Sequence, residues 1–223
     1  MTQTLLITGA STGIGAATAR AAAEAGWQVA LLARSQDELD SLAGEIGERA
    51  LALPCDVTDR AALNAAVDRT IDHFGGLDAV FANAGKGVSS SGIEQGVPAE
   101  WDEMIQLNVM AVLSTAHATL PHLRKTKGHF VVTGSKAGRD HLKGSVYGAT
   151  KWFVHGLAGN LAEEMREWGG RCTVISPGMV DTPFFDEPKP DKIQPDDVAN
   201  AVVFALSQPR SADVREIHIM PGG

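Results

Sequence analysis

The stretch Leu5-Leu-Ile-Thr-Gly-Ala-Ser-Thr-Gly-Ile-Gly15 decides the fold, because it joins an apolar run directly to a glycine-rich turn. An alanine-rich helical segment follows from about Ala16 to Ala25, and Gly26 stands in the position of a C-terminal cap. Strand, glycine turn and helix in this order bring a backbone close to a pyrophosphate at a helix N-terminus. The spacing Gly-x-x-x-Gly-x-Gly differs from the usual Gly-x-Gly-x-x-Gly, so the turn alone also fits a purely structural role.

Short apolar runs alternate with helical segments along the rest of the chain. The predicted strands are Gln28–Ala33, Ala50–Pro54, Asp78–Ala82, His129–Thr133, Arg171–Ser176 and Val214–Met220. The predicted helices run from Ser35 to about Ile46, from Thr58 to Phe74, from Trp101 to about Lys125, from Tyr147 to Trp168, and onward from Pro195. This alternation predicts βαβ units in one α/β domain, residues 1–223, with a parallel sheet covered by helices on both faces.

Five residues predict how particular helices begin or end. Ser35 and Glu38 have the spacing of a capping box, and Thr58 is the expected cap of the helix that follows it. Pro98 is placed to open a helix, whereas Pro121 should kink or end one. The Gly- and Ser-rich segment Lys86–Gly96 is expected to be a mobile loop.

Composition excludes several classes of function. The 223 residues are 44% hydrophobic and 21% charged, as in an ordinary globular protein. A net charge of −8 argues against nucleic acid as a partner. No apolar run approaches the ~20 residues of a membrane span, and no signal peptide is evident. The seven histidines lack metal-ligand spacing, so no metal is expected. Cys55 and Cys172 read as buried free thiols, which favours a cytoplasmic location.

Tyr147 and Lys151 are the strongest candidates for chemistry. On a helix they stand at i and i+4, one turn apart on the same face. A phenol normally loses its proton near pH ~10, and a neighbouring ammonium lowers that pKa by roughly 1–3 units. Ser135, at the end of the fifth predicted strand, adds a hydroxyl that could hold a substrate oxygen against the phenol. Taken alone, the pair is also compatible with an ordinary aromatic residue and a solvated lysine.

Several polar or glycine-rich motifs follow predicted strands, at the edge of a parallel sheet where ligands bind. They are Gly9–Gly15, Asp56, Asn83–Gly85, Ser135 and Pro177-Gly178. Asn108 lies inside an apolar helical stretch, where its amide must find partners either in neighbouring backbone or in a site. The sequence therefore predicts one binding edge built from many separate segments.

Arg34 bears on the choice of dinucleotide. It follows the second strand, where NAD-binding folds carry an acidic residue for the ribose 2′-hydroxyl, while Asp37 and Glu38 come later. A guanidinium there suits a 2′-phosphate through charge-assisted hydrogen bonds. A solvated arginine at a loop tip is the structural alternative, so the sequence favours NADP without excluding NAD.

Together these motifs resemble the short-chain dehydrogenase/reductase family over essentially the whole chain. The resemblance rests on the order and spacing of the glycine turn, Asn83-Ala-Gly85, Asn108, Ser135, Tyr147-x-x-x-Lys151 and Pro177-Gly178. It implies a Rossmann-type doubly wound sandwich whose seven-stranded parallel sheet has the order 3-2-1-4-5-6-7. It also implies an NADP(H)-dependent oxidoreductase that interconverts a carbonyl compound and an alcohol. The same chemistry with NAD(H), or a non-catalytic NADP-binding sensor, remains the alternative.

The resemblance also assigns roles residue by residue. Tyr147 is the implied general acid/base and Ser135 orients the substrate oxygen. Lys151 is expected to bind the nicotinamide ribose and lower the tyrosine pKa, and Asn108 to hold a water molecule. The implied cofactor contacts are Gly9, Ser11, Gly13, Ile14 and Gly15 at the pyrophosphate, Asp56 and Val57 at the adenine, Asn83, Ala84 and Gly85 beside the adenosine ribose, Pro177, Gly178, Val180 and Thr182 near the carboxamide, and Arg34 at the 2′-phosphate.

The chain departs from the family pattern in places. Ala82 stands where many members have asparagine, and the glycine turn lacks the extra basic residue of many NADP enzymes. Pro183–Ile193 is short where relatives often carry a helical lid, which suggests an open pocket with Phe184 and Phe185 as an apolar wall.

Substrate and oligomeric state are expectations of a coarser kind. His141, Leu142 and Met179 are positional candidates for the substrate pocket. The expected partner is a small carbonyl or alcohol substrate. The family resemblance implies a homodimer or homotetramer formed through the helices that contain Asn108 and Tyr147.

Overall fold

In a computed structural model, which describes residues 2–89, 92–185 and 187–222, the chain is built on one parallel sheet. The strands are β1 (Thr4–Thr8), β2 (Gln28–Ala33), β3 (Ala50–Pro54), β4 (Ala79–Ala82), β5 (His129–Thr133), β6 (Arg171–Pro177) and β7 (Glu216–Ile219). Their order is β3-β2-β1-β4-β5-β6-β7, and every neighbouring pair is parallel. The predicted fold class and strand order are confirmed.

Helices connect the strands. They are α1 (Gly13–Glu24), α2 (Gln36–Ile46), α3 (Arg60–Phe74), α4 (Pro98–Ile105), α5 (Ala111–Thr126), α6 (Val146–Arg166) and α7 (Pro195–Ser207). A π-helical turn, Gln106–Met110, joins α4 to α5, and a 3-10 turn, Lys136–Gly138, follows β5. Among the described residues, no helix has both the length and the apolar character needed to cross a membrane.

The central strands are buried on both faces, because successive residues point to opposite sides of a strand. All five residues of β1 are buried. Leu6 and Phe130 belong to the apolar cluster that packs against α3, α5 and α6. Leu5, Ile7 and Phe81 belong to the second cluster, which packs against α1, α2 and α7. Two cores on opposite faces explain why these strands read as continuous apolar runs.

The strand register places the functional motifs at one edge. Thr8 pairs with Leu32, and Thr133 pairs with Ile175, so the carboxyl-terminal ends of neighbouring strands lie side by side. The chain leaves β1 towards β2 and leaves β4 towards β5, so the strand order reverses between β1 and β4. Ligands in such sheets bind at this reversal point.

The helix that follows β3 begins differently from the prediction. Asp59, not Thr58, is its N-cap, and the Asp59 carboxylate accepts hydrogen bonds from the backbone N–H groups of Ala61 and Ala62 at 2.8 and 3.2 Å. Thr58 is engaged elsewhere, because both its N–H and its hydroxyl donate to Asp56 Oδ1, at 2.9 and 2.7 Å. The prediction for Thr58 is wrong because Asp56 competes for it.

The other predicted boundaries have mixed outcomes. Gly26 follows α1 with a φ of +94°, and Pro98 is the first residue of α4, both as predicted. Ser35 is the N-cap of α2 but its side chain makes no capping hydrogen bond, so the capping box is wrong. Pro121 lies inside α5, which continues to Thr126. Because proline has no N–H, the His117 carbonyl lacks its helical hydrogen-bond donor. His117 and Pro121 are both exposed, so water can hydrogen-bond to that carbonyl.

Two further predictions concern a loop and the thiols. Lys86–Gly96 contains neither helix nor strand in its described part, and Ser90 and Ser91 lie outside the described residues. Cys55 and Cys172 are buried and free, as predicted. Burial raises the pKa of Cys55 to about 11 and that of Cys172 to about 12, with neighbouring acids contributing, so both thiols stay protonated.

His129 opens β5 as a buried neutral imidazole. Its side-chain Nε2 lies 2.7 Å from Thr173 Oγ1, and the Thr173 hydroxyl donates to the Val214 carbonyl at 2.5 Å. The threonine therefore accepts from Nε2–H, which fixes the ring tautomer. Burial, with Arg171 contributing, lowers the pKa of His129 from 6.5 to about 3.

We expect folding stability to fall as the pH drops from about 6.5 towards about 3, because the unfolded chain binds a proton that buried His129 does not. This group contributes at most about 1.4 kcal/mol per pH unit in that window. His129→Gln keeps an N–H donor but does not titrate, so it should flatten the dependence by that amount. Chemical unfolding across the window measures the slopes, and equal slopes for both proteins would contradict the assignment.

Candidate active site

The glycine turn after β1 packs directly on the turn after β4. A Cβ on Gly9, whose φ is +65°, would lie 2.9 Å from Ala84 Cα. A Cβ on Gly15 would lie only 2.1 Å from the Gly9 carbonyl oxygen. Gly13, with a φ of +53°, faces Thr182, whose methyl group would lie 3.1 Å from an added Cβ. The turn is therefore too compact for side chains at these three positions.

Asn83 joins three strands at this edge. Its Nδ2 donates to the carbonyls of Thr8 and Gly9, at 3.2 and 3.3 Å. Its Oδ1 accepts from the Thr133 hydroxyl at 3.0 Å. The Thr8 hydroxyl in turn accepts from the backbone N–H groups of Asn83 and Ala84. The ends of β1, β4 and β5 are thus fixed to one another by a polar network.

Tyr147 and Lys151 lie in the first turns of α6. The Ser145 hydroxyl caps this helix by accepting from Gly148 N at 2.9 Å. Lys151 Nζ lies 5.8 Å from the centroid of the Tyr147 ring and donates to the Thr133 carbonyl at 2.8 Å. The lysine is 5% exposed, and burial lowers its pKa to about 8. The predicted i, i+4 juxtaposition is present.

Ser135 lies against the tyrosine. Its Oγ accepts from Ala137 N at 3.1 Å, which leaves its own proton available for donation. Burial raises the pKa of Tyr147, and the neighbouring Ser135 hydroxyl opposes that rise. The net shift is opposite to the lowering expected from the sequence. The reason is that the surrounding protein partly buries the phenol, while the Lys151 ammonium is directed at the Thr133 carbonyl.

Asn108 lies at the π-helical turn, buried beside the lysine. Its Oδ1 accepts from Lys86 N at 2.9 Å, and its Nδ2 donates to the Lys86 carbonyl at 2.9 Å and to Thr150 Oγ1 at 3.2 Å. A Cβ on Gly85 would lie 3.2 Å from Asn108 Oδ1 and 3.8 Å from Lys151 Nζ. The Asn108 amide therefore takes protein partners and ties the segment after β4 to α6.

The predicted adenine and 2′-phosphate residues follow β3 and β2. Asp56 is exposed and Val57 is buried. Hydrogen bonds from Thr58, together with the nearby charge of Arg34, lower the pKa of Asp56. Arg34 is itself exposed, so these side chains form a charged margin of the binding edge. Ser11 lines a neighbouring groove of about 410 Å³ with Arg20, Asp37, Glu38, Ser41 and Leu42, and Ile14 packs at the edge of the core.

The segment after β6 closes the other side. Pro177 ends β6, and Gly178 N donates to the Ile219 carbonyl at 2.8 Å. Val180 forms an isolated β-bridge with Ile193. Thr182, two residues after Val180, lies beside Gly13. This segment therefore connects the end of β6 to the glycine turn.

Aromatic side chains lie beside the tyrosine. The Phe184 ring centroid is 5.6 Å from that of Tyr147 and 5.2 Å from that of Phe185. Phe184 also contacts Gly87, where a Cβ would lie 3.1 Å from its Cζ. The other positional candidates are less closely placed: His141 packs on Trp152 at 5.3 Å, and Leu142 and Met179 are exposed.

A family model described as short chain dehydrogenase matches residues 3–193. The chain belongs to the short-chain dehydrogenase family. An uncharacterized oxidoreductase of Staphylococcus epidermidis is 37% identical in an alignment of 223 positions, which covers 97% of this chain and 96% of the relative. The solved alcohol dehydrogenase of the archaeon Thermococcus sibiricus, complexed with 5-hydroxy-NADP, superposes with a TM-score of 0.92 at 32% identity, covering 99% of this chain and 97% of that one. The 3-ketoacyl-(acyl-carrier-protein) reductase of Brucella melitensis, complexed with NADH, gives 0.89 at 28% identity, covering 97% and 96%.

Sequence reasoning missed several residues that hold this short-chain dehydrogenase site together. The Thr8 and Thr133 hydroxyls both hydrogen-bond Asn83. The Thr133 carbonyl accepts the hydrogen bond from Lys151. Each threonine is the polar residue that directly follows an apolar run at the end of its strand, which is a usable signal. Thr150 bonds both the Asn108 amide and the Tyr147 carbonyl. Its position next to Lys151 is the only sequence signal for it.

Proposed function

We propose that this short-chain dehydrogenase interconverts a carbonyl compound and an alcohol with NADP(H), and that Tyr147 is its general acid/base. The observation that carries the proposal is the convergence of Ser135, Tyr147 and Lys151 next to the compact glycine turn. A phenol that burial keeps protonated is suited to donate a proton to a carbonyl oxygen.

The glycine turn fits the pyrophosphate of a dinucleotide. Thr12, the N-cap of α1, makes no side-chain capping bond, and the first turn carries no acidic residue. The helix N-terminus thus offers N–H groups and positive partial charge to an anion. The relatives complexed with 5-hydroxy-NADP and with NADH support the same kind of ligand here. The residues proposed to hold it are Gly9, Ser11, Gly13, Ile14, Gly15, Arg34, Asp56, Val57, Asn83, Ala84, Gly85, Tyr147, Lys151, Pro177, Gly178, Val180 and Thr182.

The chain's own residues handle the proton. When bound, the nicotinamide supplies or accepts the hydride. In the direction of reduction, the Tyr147 phenol donates its proton to the substrate oxygen while the Ser135 hydroxyl hydrogen-bonds the same oxygen. Lys151 places positive charge beside the phenolate that remains, and its Nζ is held by the Thr133 carbonyl. Asn108 acts at one remove, by holding the segment after β4 against α6.

The direct test is NADPH consumption across a panel of aldehydes, ketones and diketones. We expect turnover of apolar carbonyl compounds, because Phe184 presents an aromatic face beside Tyr147. The short segment 183–193 further favours an open pocket and broad acceptance. A ligand-bound structure in which this segment fully encloses the substrate would count against that breadth. Tight NADPH binding with silence across the whole panel would instead favour a non-catalytic sensor.

We expect Arg34→Asp to lower the preference for NADPH over NADH, measured as the ratio of kcat/KM values, by about tenfold or more. A guanidinium–phosphate hydrogen bond is charge-assisted, and losing one such bond corresponds to a factor of that size. Steady-state kinetics with both cofactors measures the ratio.

Arg69→Asp is the matched control for Arg34→Asp. It makes the same change of charge at an exposed position on α3, away from the predicted ribose. Its cofactor preference should equal that of the unmodified protein. If Arg34→Asp also leaves the ratio unchanged, Arg34 does not determine cofactor choice.

The proposed assembly is a homodimer or homotetramer formed through the helical segment α4–α5, whose π-helical turn contains Asn108, and through α6, which contains Tyr147. A groove of about 390 Å³ between α3 and α5, lined by Met110 and Leu113 among others, offers apolar surface there. We also propose a cytoplasmic location, which the buried free thiols Cys55 and Cys172 support.

A further inference from the structure

A buried histidine lies directly behind Ser135. His155 stands one turn after Lys151 on α6, and its side chain is 7% exposed. Its Nε2 lies 3.3 Å from the Ser135 carbonyl oxygen and 3.2 Å from Ser176 Oγ. The imidazole thus links α6 to the turn that carries the serine and to β6.

Two glycines leave room for this ring. A Cβ on Gly134 would lie 2.9 Å from His155 Nε2, and a Cβ on Gly138 would lie 2.6 Å from His155 Cδ2. These two residues flank Ser135 on either side in the chain. The turn therefore has no side chain at the two places where the imidazole approaches it.

The hydrogen-bond partners fix which ring nitrogen carries the proton. The Ser176 hydroxyl donates to Glu216 Oε1 at 2.9 Å, so its oxygen is free only to accept from the ring. The Ser135 carbonyl can only accept. His155 Nε2 must therefore be protonated, and its N–H is shared between the Ser135 carbonyl and Ser176.

The opposite side of the ring faces charge. His155 Nδ1 lies 3.5 Å from Glu216 Oε1 and has no hydrogen-bond partner among the described residues. Arg139, just past the Ser135 turn, donates from Nε to Glu216 Oε1 at 3.2 Å and from Nη2 to Oε2. Burial lowers the pKa of His155; the Ser135 carbonyl and Glu216 oppose this, and Arg139 and Lys151 add to it. The ring is thus a neutral donor held between the serine turn and Glu216.

We propose that His155 is a positioning residue for Ser135, holding the serine turn against α6 through its Nε2–H so that the Ser135 hydroxyl meets Tyr147. This inference rests on the proposed function, in which Ser135 and Tyr147 act on one substrate oxygen. Without the imidazole, the Ser135 carbonyl keeps only the hydrogen bond from Gly138 N, at 2.9 Å. That bond lies within the turn itself and does not tie the turn to α6.

The first test needs no substrate, because Tyr147 is the one tyrosine in the chain. Fluorotyrosine incorporated there gives a single fluorine NMR signal whose pH titration reports the phenol pKa. The Ser135 hydroxyl lowers that pKa, so Ser135→Ala should raise it. We expect His155→Leu to raise it in the same direction, and His155→Gln, which keeps an N–H donor of similar reach, to restore it.

Ser176→Ala is the matched control. It removes the other hydrogen bond of the same Nε2–H but leaves the link to Ser135, so it should lower stability without moving the Tyr147 pKa. A Tyr147 pKa that His155→Leu leaves unchanged, or that Ser176→Ala raises equally, would overturn the proposal. Should His155→Leu fail to fold, His155→Asn, whose amide falls short of the carbonyl, takes its place.

Kinetics gives the second readout. With an accepted carbonyl substrate, His155→Leu should lower kcat about tenfold while the Kd for NADPH stays unchanged, and His155→Gln should recover most of that loss. A fall in kcat matched by an equal loss of NADPH affinity would indicate a merely structural role and overturn the proposal. If the pKa pattern appears but the unmodified protein reduces no carbonyl, the positioning role stands and the proposed function fails.

Discussion

Tyr147→Phe should lower kcat for carbonyl reduction by about 10²–10⁴-fold, the usual contribution of a general acid. The substitution removes the proton donor but keeps the aromatic ring that packs at 5.6 Å from Phe184. Stability should therefore stay near that of the unmodified protein, and NADPH affinity should fall by much less than kcat. Steady-state kinetics, thermal unfolding and a binding titration measure the three quantities.

A serine pair provides the control for this site. Ser135→Ala removes the hydroxyl that favours the Tyr147 phenolate and should lower kcat. Ser145→Ala removes the hydroxyl that caps α6 through Gly148 N, so it should cost about 1 kcal/mol of stability and leave kcat unchanged. A Tyr147→Phe variant that keeps most of its kcat would show that the proton comes from elsewhere.

The direction of the Tyr147 shift also predicts how the rate depends on pH. Its raised pKa keeps the phenol protonated at neutral pH, so reduction should hold its rate there. Oxidation of the alcohol needs the deprotonated form and should rise with pH in the same range. Reduction and oxidation should therefore differ in their pH dependence, because they need opposite protonation states of Tyr147.

The predictable part of the molecule follows from short-range patterns. β2 and β5 match their predicted bounds because apolar runs mark strands that are buried on both faces. The bounds of β3, a half-buried edge strand, are also as predicted. Tyr147 and Lys151 meet because helical spacing brings i and i+4 together. The family resemblance placed these elements in the correct strand order.

The remaining features depend on contacts that spacing does not encode. Asp59 rather than Thr58 caps α3, because the Thr58 hydroxyl is hydrogen-bonded to Asp56. The pKa direction of Tyr147 depends on how deeply the phenol is buried, which only the packed structure determines. His155 on α6 and Glu216 on β7 are far apart in the chain, and they come together because α6 packs against β6, which is the neighbour of β7.

Gly15→Ala should weaken NADPH binding by about 10–100-fold and lower stability by about 1–3 kcal/mol. An added Cβ would lie 2.1 Å from the Gly9 carbonyl oxygen and 2.9 Å from Asn83 Nδ2. The obstacle is backbone, which cannot turn aside like a flexible side chain, so the turn must open. The N–H groups at the start of α1 would then no longer converge on one anion.

Gly26→Ala, at the other end of the same helix, separates loss of stability from loss of the site. Gly26 has a φ of +94°, so alanine there is strained by about 1–2 kcal/mol, yet an added Cβ meets nothing within 4 Å. Thermal unfolding should therefore show both variants destabilised, while a binding titration should show weakened NADPH binding in Gly15→Ala alone. Equal loss of affinity in both would mean that binding follows the stability of α1. Unchanged affinity in Gly15→Ala would show that the glycine turn is not part of the cofactor site. A dinucleotide bound to this turn would lose hydrogen bonds from its N–H groups when the turn opens.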